Sequence, residues 1–133
     1  MLKIGLIGSG FMGAIHAAGW IRLREAGLPV ELTGCRSIDG ATATKLAERH
    51  GFALYDEIDQ LIAASDVIDV CSPTYLHAEH ASRAARAGKH VVSEKPLART
   101  AEDAAALVEL CEQAGVTLLV GHVVRFFPEY AAA

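Results

Sequence analysis

The stretch Lys3-Ile4-Gly5-Leu6-Ile7-Gly8-Ser9-Gly10-Phe11-Met12-Gly13 decides the fold of this chain. A short apolar run leads into glycines at G-x-G-x-x-G spacing, and a helical pattern follows them. That pattern places four residues on one helix face: Met12, Ile15, Gly19 and Leu23. The order predicts a strand, a tight turn and a helix.

The three glycines have separate expected roles. Gly8 makes the turn, Gly10 leaves no side chain between backbone and ligand, and Gly13 lets the helix lie close to the strand. Free amides at the helix start then face an anion, so the turn is expected to bind the pyrophosphate of a dinucleotide. A tight strand-to-helix turn without a ligand is the alternative, and the position after an N-terminal strand favours binding. The residues expected to contact the dinucleotide here are Gly8, Ser9, Gly10, Phe11, Met12 and Gly13.

Length and composition indicate one globular domain. The 133 residues are 52% hydrophobic and 21% charged, which suits a buried sheet covered by helices. A net charge of −4 without a run of Lys or Arg argues against nucleic acid or an anionic membrane as partner. No apolar stretch approaches the about 20 residues of a membrane span.

The cysteines Cys35, Cys71 and Cys111 are odd in number and have no C-x-x-C spacing. They fit reduced thiols in the cytoplasm better than a disulfide framework. Each falls in a predicted strand or helix, so we interpret them as buried and inert, with a catalytic thiol as the alternative.

Strand and helix patterns alternate along the chain. After the first strand, strands are predicted at 30–35, 52–55, 67–71, 90–93 and 116–120. Helices are predicted from the glycine turn to 26, at 39–50, from 56, at 75–87 and at 100–114. Asp39 and Thr100 are expected to cap helices, and glycines follow most helix ends.

This alternation predicts an α/β fold, a doubly wound parallel (Rossmann) sheet with strand order 3-2-1-4-5-6. Its ligand crevice lies where the order reverses, outside the carboxyl ends of the first and fourth strands. Five segments follow strand ends and should converge there: 8–13, 36–37, 72–75, 94–96 and 121–122.

Four motifs occur in the order of a known family. They are Gly8-x-Gly10-x-x-Gly13, Ser72-Pro73-Thr74-x-x-His77, Glu94-Lys95-Pro96 and Gly121-His122-x-x-Arg125-Phe126. The chain resembles the nucleotide-binding half of the glucose-fructose oxidoreductase, inositol dehydrogenase and rhizopine-catabolism (Gfo/Idh/MocA) oxidoreductases over nearly its whole length. The glycine turn is shared with many dinucleotide binders, whereas the E-K-P motif is more specific to this family.

The resemblance implies a catalytic role for Lys95 near substrate and nicotinamide. An ammonium beside a carbinol oxygen stabilises alkoxide character as hydride leaves. Glu94 would orient that lysine or a ribose hydroxyl. A solvated lysine before a helix-starting proline is the alternative.

The resemblance also implies that Ser72, Pro73 and Thr74 line the dinucleotide, with His77 at the start of the next helix. Helix capping by Thr74 and a surface histidine are the alternative. His77 and His80 are three residues apart, but no third ligand stands at a suitable spacing, so no metal site is predicted.

The residues after the second strand bear on cofactor identity. A carboxylate there binds the ribose 2′-hydroxyl, whereas Arg and small hydroxyl residues accept a 2′-phosphate. Arg36 and Ser37 occupy this place and no acid appears until Asp39. We therefore expect NADP or NAD, with a preference for NADP, and an exposed loop arginine is the alternative.

The resemblance implies hydride transfer between the nicotinamide cofactor and a secondary alcohol of a sugar, cyclitol or related hydroxy compound. It also implies that residues 1–121 form the NAD(P)-binding domain and that 122–133 start the crossover to a substrate domain expected to be absent from this chain. His122, where many members carry Asn, is expected near the nicotinamide. The missing domain supplies the family's catalytic histidine and subunit interface, so we expect a partial enzyme that binds cofactor and turns over poorly.

Two other function classes stay open from the sequence. One is a non-catalytic NAD(P)-binding or sensing module, against which Lys95 argues. The other is a different two-domain Rossmann reductase, such as a relative of homoserine dehydrogenase or dihydrodipicolinate reductase. The apolar strand 116–120 and the pair Phe126-Phe127 are expected to be exposed without a second domain, which favours a homo-oligomer.

Overall fold

Six parallel strands form one sheet in a computed structural model that describes residues 1–132. The strands are β1 (Leu2–Ile7), β2 (Val30–Arg36), β3 (Ala53–Leu54), β4 (Val67–Val70), β5 (His90–Ser93) and β6 (Leu118–Val120). The helices are α1 (Phe11–Glu25), α2 (Gly40–His50), α3 (Ile58–Ala63), α4 (His77–Arg86), α5 (Ala101–Ala114) and α6 (Pro128–Ala131). Short 3₁₀ turns span Thr74–Leu76 and Val123–Phe126. Ala133, the last residue of the expected segment 122–133, lies outside the described residues.

The strand order is β3-β2-β1-β4-β5-β6, which confirms the predicted doubly wound sheet. In the register, Leu6 of β1 lies between Cys35 of β2 and Asp69 of β4. The two edge strands are shorter than predicted, because each pairs along one side only and the flanking residues leave the ladder. The order reverses between β1 and β4, so the carboxyl ends of these strands border a crevice.

Local signals set the helix ends. The Asp39 carboxylate accepts the amide of Thr42 at 3.0 Å at the start of α2. Thr100 Oγ1 accepts the amide of Asp103 at 3.1 Å at the start of α5. Both predicted caps are therefore confirmed, and they satisfy amides that the helices themselves leave free.

Two helix layers cover the sheet and divide the core. Ile4, Leu6 and Val67 belong to the cluster that packs with α1 and α2. The alternate β4 residues Ile68 and Val70 belong to the cluster that packs with α3, α4 and α5. Because strand side chains alternate, Asp69 points to the α1 side.

Helix α1 does not turn its large apolar stripe to the sheet. Ile15 is 48% and Leu23 is 39% exposed, whereas Gly13 and Ala17 are buried. Small side chains bring the helix axis close to the strands, so the buried face is the one with the smaller residues. Trp20 on α1 packs beside this buried face.

The β6 end of the molecule is open and apolar. Leu119 is 59%, Phe126 84% and Phe127 48% exposed, as expected. Val116 and Leu118, which were also expected to be exposed, pack against the core instead. In residues 1–132 no helix combines the length and the apolar character that crossing a bilayer requires.

Candidate functional site

A cleft of about 540 Å³ opens at the carboxyl ends of β1, β2 and β4. Nine of the predicted contact residues line it: Gly8, Ser9, Gly10, Phe11, Met12, Arg36, Ser37, Ser72 and Pro73. Residues that were not predicted to contact a cofactor also line it, among them Ile38, Asp39, Ile58, Leu76 and His80. The predicted residues outside this cleft are Gly13, Thr74, His77, Glu94, Lys95 and His122.

The glycine turn has the geometry that binding an anion requires. Gly8 has φ 102°, a conformation that side chains rarely adopt. A Cβ on Gly10 would meet nothing within 4 Å, so this residue opens to the cleft. Helix α1 starts directly after Gly10 without a side-chain cap, which leaves its first amides for a ligand.

Gly13 serves packing and does not line the cleft. A Cβ there would run into the carbonyl group of Gly8. The expected close approach of helix and strand therefore occurs at the turn itself. Gly13 supports the site by letting α1 begin directly behind the turn.

Ser9 and Ser37 connect the glycine turn to the loop after β2. Ser9 is 1% exposed, and its Oγ donates to Ser37 Oγ at 2.8 Å. The Ser37 hydroxyl also accepts the amide of Asp39 at 3.2 Å. The hydrogen bonds from Thr42 lower the pKa of Asp39, so this carboxylate is ionised at the cleft edge.

Arg36 and His80 are two charged or titratable residues that line the cleft. Arg36 Nε donates to the carbonyl oxygen of Asp56 at 3.3 Å. His80 is 6% exposed, and its Nδ1 lies 2.9 Å from Ser72 Oγ. Burial lowers the pKa of His80, which keeps its ring neutral beside the Arg36 guanidinium. The sequence showed His80 only as one of a histidine pair.

His77 lies beneath the cleft and is neither a surface residue nor a lining residue. It is 2% exposed, with Nδ1 2.7 Å from the carbonyl oxygen of Pro96 and Nε2 2.7 Å from that of Ser72. It therefore connects the S-P-T segment to the E-K-P segment, and any effect on a cofactor is indirect. Thr74 is exposed at the start of the 3₁₀ turn.

A second cleft, of about 410 Å³, brings Lys95 and His122 together. The other residues that line it are Val123, Val124 and Arg125. Lys95 is exposed at the carboxyl end of β5, and its bond to Pro96 is cis. A Cβ on Gly121 would come within 3.1 Å of Glu94 Oε1, so this glycine makes room for the glutamate.

Sequence reasoning missed a buried charged network on the α1 side of the sheet. His16 Nδ1 lies 3.0 Å from both carboxylate oxygens of Asp69, and its Nε2 lies 3.1 Å from Glu94 Oε1. Trp20 Nε1 donates to Asp69 Oδ2 at 2.6 Å. The hydrogen bond to Asp69 is the main cause that raises the pKa of His16. Asp69, an acidic residue within the apolar run of β4, was the one signal in the sequence that could have indicated this network.

The three cysteines are unpaired thiols in the described structure. Burial raises the pKa of Cys35 to about 12 and also raises the pKa of Cys71 and Cys111. Thiols with raised pKa values are poor nucleophiles at neutral pH. This agrees with the interpretation of inert cysteines.

The sheet order, the glycine turn and the cleft at the switch point together define a dinucleotide-binding Rossmann domain. Residues 2–122 match the Gfo/Idh/MocA family model, described as an oxidoreductase family with an NAD-binding Rossmann fold. The chain belongs to this family. The membership confirms the resemblance and sets aside the other two-domain Rossmann reductases.

Several relatives of known identity are sugar dehydrogenases. The chain is 33% identical over 126 residues to glucose-6-phosphate 3-dehydrogenase of Bacillus subtilis, covering 95% of this chain and 35% of that protein. A solved levoglucosan dehydrogenase, in complex with NADH and levoglucosan, matches with TM-score 0.87 and 32% identity. That match covers 98% of this chain and 37% of the dehydrogenase.

The GenD2 protein of gentamicin A biosynthesis, solved in complex with NAD, has a similar fold. It matches with TM-score 0.90 and 28% identity, over 98% of this chain and 37% of that protein. The chain thus spans a little over a third of the length of these three relatives. Its likeness to them concerns their NAD-binding part.

Proposed function

We propose that this chain is the NAD(P)-binding part of an oxidoreductase that transfers hydride between a nicotinamide cofactor and a secondary alcohol of a sugar, cyclitol or related compound. The observation that carries the proposal is the cleft at the β1/β4 switch point, with Gly10 open to it and helix-start amides that no side chain caps in α1. When bound, the nicotinamide supplies the hydride donor or acceptor.

Lys95 is the residue we assign to catalysis. Its ammonium is exposed in the second cleft, which it shares with His122. A fixed positive charge there would stabilise a developing alkoxide while hydride moves. Glu94 is 6% exposed, which favours orienting the lysine segment over binding a ribose.

Arg36 supports a preference for NADP over NAD. It lines the main cleft at the carboxyl end of β2, and a guanidinium binds a phosphate through two parallel hydrogen bonds. The nearby acid, Asp39, has its oxygens engaged by Thr42. Replacing Arg36 with Gln should weaken NADPH binding more than NADH binding, and equal weakening of both would contradict the preference.

The proposed domain organisation is 1–121 for cofactor binding and 122–133 for the crossover to a substrate domain. The short span relative to the sugar dehydrogenases supports it. We therefore propose that the isolated chain binds cofactor without sustained turnover. Steady-state oxidation of a sugar or polyol by the 133 residues would contradict this part.

The three unpaired thiols support a cytoplasmic location. The exposed apolar side chains at the β6 end support weak self-association.

Calorimetric titration with NADH and NADPH tests the proposal. The wild-type chain should bind at least one of them, and a folded sample that binds neither would overturn the proposed function. Gly10→Ala should weaken binding about tenfold or more, because a methyl group would displace the diphosphate from charged hydrogen bonds worth about 1.5–3 kcal/mol each. Gly19→Ala is the matched control, since a Cβ there also meets nothing within 4 Å but lies outside the cleft.

A further inference from the structure

His16, Trp20 and Asp69, which form a network with Glu94, have no part in the function proposed so far. The network lies between α1 and the strands β4 and β5, outside the residues that line the main cleft. Its members come from three separate parts of the chain. A polar group of this size inside an apolar layer costs free energy unless every member is bonded.

With both carboxyl groups ionised, the hydrogen bonds require a charged imidazole. Both ring nitrogens of His16 face carboxylate oxygens, which only accept, so both bonds form together only when each nitrogen carries a proton. Asp69 is 0% and Glu94 6% exposed, so their negative charges depend on a neighbouring positive one. The hydrogen bond to Asp69 raises the pKa of His16, which favours the charged imidazole.

Glu94 connects His16 to the backbone of Lys95. While its Oε1 faces His16, its Oε2 accepts the backbone amide of Lys95 at 3.2 Å. Gly121 also lies beside Oε1, since a Cβ on this glycine would come 3.1 Å from that oxygen. The carboxylate is thus held at both oxygens, and contacts run without a gap from His16 through Glu94 to the Lys95 backbone.

We propose that His16 is a positioning residue: it clamps the Glu94 carboxylate between α1 and β5 and so fixes the backbone from which Lys95 enters the second cleft. Asp69, which also accepts a hydrogen bond from the Trp20 indole, holds the imidazole at its other nitrogen. The catalytic meaning of the clamp rests on the proposed function, because it requires the role given to Lys95. The clamp itself is a statement about these residues alone.

A metal centre is the competing interpretation of the same residues. Ligand atoms of His16, Asp69 and Cys71 lie within 4.8 Å of one another. Both Asp69 oxygens already face His16, and one of them accepts from Trp20. Burial and the Asp69 charge raise the pKa of Cys71, so a thiolate ligand is disfavoured. Asp69, Glu94 and Cys71 are the titratable groups that face His16.

Nuclear magnetic resonance of the ¹⁵N-labelled 133-residue chain tests the clamp. Trp20 is the single tryptophan, so its indole N–H gives one signal. A titration across the imidazole range, from about pH 5 to 9, would follow that signal, the His16 ring and the Lys95 amide. The three should change together, with one midpoint above the ordinary imidazole value of about 6.5. A Lys95 amide that ignores the His16 titration would overturn the proposal.

Two variants make the result specific. His16→Gln should remove the common step from the indole and Lys95 signals, and a step that survives would overturn the clamp. Glu94→Gln should lower the His16 midpoint by removing one negative charge, and it decides the question alone if the first variant does not fold. His50→Gln, at the end of α2, is the matched control and should keep the step.

Binding of NADH and of NADPH, measured on the same wild-type sample, separates the two proposals. A normal His16-dependent step without binding of either cofactor would overturn the proposed function and support the clamp. Binding of either cofactor without a step at Lys95 would overturn the clamp and leave the proposed function standing. A merely structural role for His16 would not make the Lys95 amide follow its protonation.

Discussion

The three glycines of the glycine turn contribute in different ways to stability and to binding. Gly8 provides a backbone conformation, Gly10 provides open space toward the cleft, and Gly13 provides contact between α1 and the turn. Substitution therefore separates them: a methyl group at Gly10 meets only a ligand, whereas one at Gly13 meets the protein. Stability and binding should respond to different members of one motif.

Gly13→Ala should destabilise the fold. The added methyl group overlaps the Gly8 carbonyl, and relieving such overpacking costs about 1–3 kcal/mol of the free energy of unfolding. Gly19→Ala on the same helix should instead leave that free energy unchanged or raise it, because the site is open. Urea unfolding followed by circular dichroism measures both, and equal stabilities would contradict the packing role of Gly13.

His80 should make the protein sensitive to acid. Its pKa is lowered in the folded state, so the unfolded chain binds the proton first. The free energy of unfolding is therefore unaffected by His80 above the ordinary imidazole pKa. It falls as the pH drops from that value toward the lower pKa of His80 in the folded chain. His80→Gln should therefore lose less stability between about pH 7 and 5 than the wild type does.

Thermal unfolding at a series of pH values measures this effect. His16 supplies an internal contrast, because its pKa is raised and its contribution is lost as pH rises. His16→Gln should thus alter the alkaline side of the profile and His80→Gln the acid side. Identical profiles for the two variants would contradict the assignment.

At the scale of elements, α1 has two apolar faces with different functions. The face with Gly13 and Ala17 is buried on the sheet, and the face with Ile15 and Leu23 is largely in solvent. The helical spacing of apolar residues identified only the face with Ile15 and Leu23, because that pattern is recognised by its large side chains. Close helix packing selects small ones, so the stripe with less apolar area became the contact.

Substitutions on the two faces should therefore differ. Ala17 is 0% exposed, and Ala17→Leu should cost about 1–3 kcal/mol through overpacking. Ile15→Gln should change the free energy of unfolding by no more than about 0.5 kcal/mol, because the side chain is already half in water. Denaturant titration decides, and a larger loss for Ile15→Gln would show that its face is the structural one.

The sequence predicted the elements well because their signals are local. Asp39 and Thr100 cap helices through residues three positions away, and Gly51 ends α2 in a left-handed conformation. The His16 network joins residues 53 and 78 positions apart, and no local pattern encodes such contacts. The cleft residues were found because strand ends converge, whereas the burial of His77 depends on two loops meeting.

At the scale of the whole molecule, exposed apolar side chains group at the β6 end of the described structure, whereas helices cover the central strands. Strands β1, β2 and β4 have packed cores against helices, whereas β6 has an unpaired edge and an exposed Leu119. Phe126 and Phe127 continue the exposed apolar surface. Such surfaces together with a free strand edge promote association between copies.

We expect the isolated chain to self-associate as its concentration rises. Leu119→Lys should shift sedimentation velocity profiles toward the monomer, since a lysine at a strand edge opposes pairing. Ile38→Gln is the control, because Ile38 is 76% exposed but lies beside the main cleft. Equal effects of both changes would indicate nonspecific stickiness instead of an interface at β6.

The two carbonyl contacts of His77 have a consequence for large-scale mutagenesis. One imidazole ties the segment after β4 to the segment after β5, so its loss would loosen both sides of the site at once. A library screened for cofactor capture would rank position 77 with the residues that touch the ligand. The same library screened for protease resistance would rank position 77 with the residues of the apolar core. Positions that rank high in both screens would be those that support cofactor binding without contacting the cofactor.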